Sequence, residues 1–101
     1  MAKWTEDEIV LALEYYYGCP ENMHTDSHAS CQKRAGVLGR SPGALDKILR
    51  NIKQAETGGA GLEHASSLIR QLVSEYAGNP KQLKEDAAAI RGKRGLPPLS
   101  C

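Results

Sequence analysis

The chain has 101 residues, which is room for one small domain around a single hydrophobic core. Hydrophobic residues make up 41% and charged ones 25%, a balance that excludes a disordered or fibrous chain. The formal net charge is +1, and no run approaches the roughly 18 apolar residues of a membrane span, so a membrane partner is not expected.

The first helix carries unusually complete start signals. Thr5 is an N-cap with Glu8 three residues on, a capping box, and Trp4 before the cap can staple to Ile9. Three acids in that first turn suit the positive end of the helix dipole. Ile9, Leu13 and Tyr17, with Val10 and Tyr16 beside them, form an apolar face, and Gly18 with Pro20 ends the helix. Residues 18–26 read as a loop.

A second helix begins near Ser27, with Cys31, Ala35 and Leu38 on one face and Gly39 at its end. Ser41-Pro42 is an N-cap followed by proline at the first helical position, where no backbone N–H is needed. The third helix runs to about Ala55 and turns Leu45, Ile48, Leu49 and Ile52 inward. Thr57-Gly58-Gly59-Ala60-Gly61 reads as a flexible loop. A fourth helix over about Ala65 to Ala77 buries Leu68, Leu72 and Tyr76, and Asn79-Pro80 opens a fifth through Leu83, Ala87 and Ile90. The fold class is all-α: a compact bundle of about five short helices at 1–91, with a helix-turn-helix at 28–55. A basic, proline-containing tail follows at 92–101.

Charge is balanced overall but not locally. Residues 1–31 hold Lys3 against six acids, whereas residues 32–54 hold six cations against Asp46 alone. A basic segment of that kind suggests a surface for a polyanion. It coincides with the second and third helices, joined only by Gly39, Arg40 and Ser41. Ala35 at the helix contact, glycine in the turn, and Leu45 and Ile48 pointing back to the core fit a helix-turn-helix. The third helix would be the reading element. Its first turn at Pro42-Gly43-Ala44 offers backbone amides to a phosphate, and Gly43 permits close approach. Outward positions Asp46, Lys47, Arg50, Asn51 and Gln54 follow, and Lys, Arg, Asn and Gln are the types that match base edges. Lys33, Arg34, Arg40 and Lys53 would meet phosphates. The predicted DNA contacts are thus Lys33, Arg34, Arg40, Ser41, Gly43, Lys47, Arg50, Asn51, Lys53 and Gln54.

Trp4-Thr5, Leu13 and Tyr16, then Leu38-Gly39-Arg40-Ser41-Pro42 with Ala44-Leu45 and Asn51, continued by Gly61-Leu62, Ala65-Ser66 and Leu68, make a pattern over residues 3–90. It is similar to the N-terminal helical domain ahead of the nuclease domain in HNH-type restriction endonucleases, of bacterial or phage type. The resemblance implies a domain that binds double-stranded DNA, modified in some members, and delivers a nuclease. Two departures are plain: Ile48 stands where a basic residue is expected, and no HNH domain follows, so cleavage is not carried over.

Cys19, Cys31 and Cys101 are an odd number, and no basic-then-apolar leader opens the chain. The expectation is therefore reduced thiols in a cytoplasmic protein. Cys19, His24, His28 and Cys31 are all zinc-ligand types within a short span. Their spacing matches no common finger, however, and Cys31 sits in a core-facing slot. No metal or other cofactor is expected. Nor is catalysis: Gly58-Gly59-Ala60-Gly61 lacks the lysine of a phosphate loop, and His64 reads as a helix cap as readily as a base. The alternative to DNA binding is a protein-binding module. It would be an adaptor, or a phage-type inhibitor mimicking a host nuclease-targeting domain, using Glu6, Asp7, Glu8 and Glu14 on the outside of the first helix. The last two helices offer a homodimer interface.

Overall fold

The computed structural model describes residues 3–57 and 67–101. Five α-helices follow one another: α1 (Glu6–Gly18), α2 (Ala29–Leu38), α3 (Pro42–Thr57), α4 (Ser67–Tyr76) and α5 (Pro80–Arg94). A single 3-10 turn at Glu21–Met23 interrupts the loop between α1 and α2. No strand occurs among the described residues, and none of their helices is long and apolar enough to cross a membrane. The expected all-α bundle is the fold. The glycine-rich loop after Thr57, His64 and the start expected for the fourth helix lie outside the described residues.

The capping box forms as its spacing predicts. The Glu8 amide donates to Thr5 Oγ1 at 3.2 Å, and the Thr5 amide donates to Glu8 Oε1 at 2.9 Å. Beyond the cap, α1 is not a one-sided surface helix. It packs against α3, α4 and α5, and every residue from Glu8 to Tyr15 is buried. A helix surrounded on several sides needs apolar residues all round, which is why Leu11, Ala12 and Tyr15 join Ile9 and Leu13 in the core. Tyr17, expected on the apolar face, is instead exposed, and its hydroxyl donates to Glu56 on α3. Tyr15 takes the inside place, donating to the Met23 carbonyl at 2.6 Å and to Ser30 Oγ at 2.8 Å.

Glu14, expected on the outside, is buried too. It accepts from Arg34 Nη2 of α2 at 2.5 Å and from Arg91 Nη1 of α5 at 3.1 Å, so one carboxylate ties three helices. Burial pulls the Arg34 guanidinium below the usual arginine value, the Glu14 charge opposes that, and the like charge of Arg91 adds to it.

Leu45, Ile48, Leu49 and Ile52 line the inner face of α3 as predicted; Ile69, Leu72, Val73 and Tyr76 of α4, with Leu83 and Ala87 of α5, complete the core. α5 continues through Gly92 to Arg94 before Gly95, in the left-handed region at φ 66°, closes it. The expected break at Gly92 is therefore one turn too early, since a single glycine costs a helix only about 1 kcal/mol. The last residues do not stand off the body. Leu96 and Leu99 pack against the core, with Leu99 Cδ2 2.6 Å from where a Cβ on Gly18 would stand, so a larger residue there would push that side chain aside.

Cys101 forms a disulfide with Cys19, 82 positions apart, at a Cα–Cα distance of 5.6 Å. Reduced thiols throughout were expected; the spacing of cysteines along a chain carries no information on a pairing made by the returning tail. Cys31 alone is free and buried.

Candidate functional site

The connection between α2 and α3 is built by local chemistry. Gly39 adopts φ 69°, a conformation that costs residues with a Cβ, and closes α2. Its amide donates to the Gly36 carbonyl at 3.1 Å, and the Arg40 amide reaches back to Ala35 at 2.9 Å, the double bond of a Schellman end. Ser41 then caps α3, its Oγ accepting from the Ala44 amide at 3.1 Å, with Pro42 at the first helical position. The turn is therefore fixed at both ends. Arg40 anchors it from outside: its Nε and Nη2 donate to the two oxygens of Glu8 at 2.8 and 2.7 Å, and Nη2 donates to the Lys3 carbonyl at 2.9 Å. Its guanidinium carbon also lies 4.8 Å from the Trp4 ring centroid. The bond from Arg40 holds the Glu8 carboxyl well down, at about 2.

The ten predicted contact residues separate into two groups. Lys33, Ser41, Gly43, Lys47, Arg50 and Lys53 are exposed, and Gln54 is half-buried. Gly43, Lys47, Arg50 and Gln54 follow at helical spacing along one side of α3, opposite Leu45, Leu49 and Ile52. The other group is committed to the scaffold. Arg34 is only 4% exposed and held by Glu14, Arg40 is spent on Glu8, and Asn51 is buried. Asp46, expected to point outward, is buried as well. Its Oδ2 accepts from the Asp26 amide at 2.9 Å and its Oδ1 pairs with Arg50 Nε at 2.7 Å.

The exposed group is less positive than its sequence suggests. Arg50 shares Asp46, although its side chain is 76% exposed, and Lys53 pairs with Glu21. The first turn of α3 is partly committed. Pro42 has no amide hydrogen, Ala44's is taken by Ser41, and the Asp26 carboxylate lies within van der Waals reach of where a Gly43 Cβ would be. Lys33 donates weakly to Ser100 Oγ at 3.5 Å, and Lys47 makes no ion pair among the described residues.

The local charge asymmetry thus has an internal use. Glu8 meets Arg40, Glu14 meets Arg34, and Glu21 meets Lys53: the acidic first segment and the basic second one are partners of each other. Both segments look like surface charge in the sequence, because pairings across 20 to 32 positions leave no periodic trace.

The zinc-type residues are otherwise engaged. Cys19 is in the disulfide, His24 Nε2 donates to the Cys19 carbonyl at 3.0 Å, and His28 Nδ1 accepts from the Ser30 amide at 3.1 Å as the cap of α2. Burial pushes the Cys31 thiol up to about 11, which disfavours the thiolate a metal requires. No group of three or more metal-ligating side chains converges among the described residues.

No family model matches the chain, and no solved structure matches it. Among curated proteins it is similar to kinectin of Mus musculus, 26% identical over 85 residues. That alignment spans 83% of this chain and 6% of kinectin, so the chain corresponds to a small piece of that relative.

Proposed function

We propose that the chain is a small non-catalytic module that binds double-stranded DNA, with α2 and α3 acting as a helix-turn-helix and the outer face of α3 as the reading element. One observation carries this: Lys47 and Arg50 stand on the solvent side of a helix whose start is fixed by a Schellman end, a serine cap and the Arg40–Glu8 clamp. A reading helix must be presented rigidly, because base discrimination depends on bidentate geometry. Lys33 and Lys53 flank this face as phosphate contacts, while Arg34, Arg40 and Asn51 support the scaffold. The similarity to the targeting domain of HNH-type endonucleases points the same way.

Fluorescence anisotropy with duplex DNA tests it. Binding at low salt should weaken steeply as salt rises; Lys33→Ala should lower the salt slope by about 1, whereas Lys47→Ala should weaken base-specific binding. Arg50→Ala should reduce discrimination between duplex sequences. Absence of binding to any duplex at low salt overturns the assignment. A protein-binding role through an acidic first helix has less support, since Glu8 and Glu14 are buried in ion pairs and Asp7 pairs with Arg94.

A further inference from the structure

On the far side of Glu14 from Arg34, a cavity of about 630 Å³ opens between α1, α5 and the C-terminal tail. This is within the size range of small-molecule sites, roughly 300–1,000 Å³. Its walls are largely apolar, with Tyr17, Tyr76, Leu83, Pro98 and Leu99 among them. The tail wall is held in place at two points: Leu99 sits on Gly18, and Cys101 is bonded to Cys19.

The polar lining is one-sided. Among the described residues that line it Glu14 is the only acid, against Arg91 and Lys84, and Glu14 is already shared with the buried Arg34. One carboxylate therefore serves two guanidiniums, and Lys84 makes no hydrogen bond or ion pair among the described residues. Arg34 Nε is buried without a partner as well. Asp86, also on α5, is engaged by the Tyr76 hydroxyl at 2.5 Å and by Gln82 Nε2 at 2.8 Å. Lys84 is exposed and Arg91 half-buried, so the two place positive charge at the mouth of the apolar cavity, where an anion can meet it.

We propose that this cavity binds a small amphipathic monoanion, an aliphatic chain ending in a carboxylate, with the chain along Leu83 and Leu99 and the carboxylate at Arg91 and Lys84. A cavity walled by the protein's own anchored tail suits a small molecule. The site is independent of the DNA-binding proposal, since none of its lining residues belongs to α3.

The test is calorimetric titration of the oxidised full chain with decanoate, decan-1-ol and decyltrimethylammonium, with amide shifts followed by NMR. Decanoate should saturate and bind at least about ten-fold more tightly than either comparison ligand. Its shifts should centre on Tyr17, Leu83 and Leu99. Lys84→Gln, at an exposed position, should weaken decanoate about three-fold or more and leave decanol unchanged. Ala77→Trp, which fills the cavity from its lining, should abolish binding of both. Decanoate binding no tighter than decanol, shifts that map elsewhere, no saturation below millimolar concentration, or a Lys84→Gln variant that behaves as the parent would each overturn the assignment.

Discussion

Arg34 of α2 and Glu14 of α1 meet in the interior at 2.5 Å, with side chains 3% and 9% exposed. The Arg34 Nη2 also donates to the Leu11 carbonyl at 3.3 Å, so the same guanidinium grips both the side chain and the backbone of the central helix. Arg91 approaches the carboxylate from α5. Removing a member of such a group leaves the others charged in a poorly solvated place, and the cost depends on which one goes.

Glu14→Gln should be the most damaging change in this cluster, because two guanidiniums would then face each other without an anion. We expect a loss of about 4 kcal/mol in urea unfolding. Arg34→Met should cost less, about 3 kcal/mol, since Arg91 stays with Glu14. Arg91→Gln, at a more exposed position, should cost least, and Lys47→Ala should stay within about 0.5 kcal/mol. A different order among the three would show that packing outweighs charge there.

Acid should weaken the turn between α2 and α3. Glu8 has its carboxyl lowered from 4.5 to about 2, chiefly by the bond from Arg40. Between those values the unfolded chain takes up a proton that the folded chain does not. The stabilisation is therefore complete above about pH 4.5 and is lost as pH falls towards 2. Melting temperatures measured at pH 6, 4 and 3 should fall more steeply for the parent than for Arg40→Gln, which has already lost the pair.

Reducing the disulfide should cost about 2–4 kcal/mol, because it closes a long loop in the unfolded chain. Cys19→Ser, Cys101→Ser and the double variant should match one another in denaturant midpoint. Alkylation followed by mass spectrometry should find no reactive thiol in the native oxidised protein and two after mild reduction. Cys31 should react only on unfolding, its thiol being buried and pushed up to about 11.

Two glycines three residues apart should respond in opposite directions. Gly36 is an exposed helical position with open space where a Cβ would project, so Gly36→Ala should stabilise by about 0.5–1 kcal/mol. Gly39 has equal space but φ 69°, so Gly39→Ala should destabilise by about 1 kcal/mol. Thermal unfolding of the two variants checks both signs.

What could be read from the sequence divides along physical lines. The Thr5–Glu8 box, the inward stripe of α3, the Gly39 end of α2 and the proline starts of α3 and α5 depend on interactions within one or two turns, and each was legible. Interactions between distant residues were not. Glu8, Glu14, Arg34 and Arg40 look like surface charges until the helices are placed together, and the partner of Cys19 comes from the far end of the chain. For the candidate site, Lys47 and Arg50 are exposed as expected; Asp46 and Asn51 are buried because α3 meets the loop before α2 and its neighbours over a wider face than its apolar stripe.

The link between Cys19 and Cys101 also sets how the molecule carries mechanical load. A pull applied to its two ends would pass through α1 alone and then across the sulfur bridge, bypassing α2 to α5. Stretched singly in an optical trap, the oxidised chain should lengthen only by the first helix and its flank, and the full extension should appear once a reductant is added.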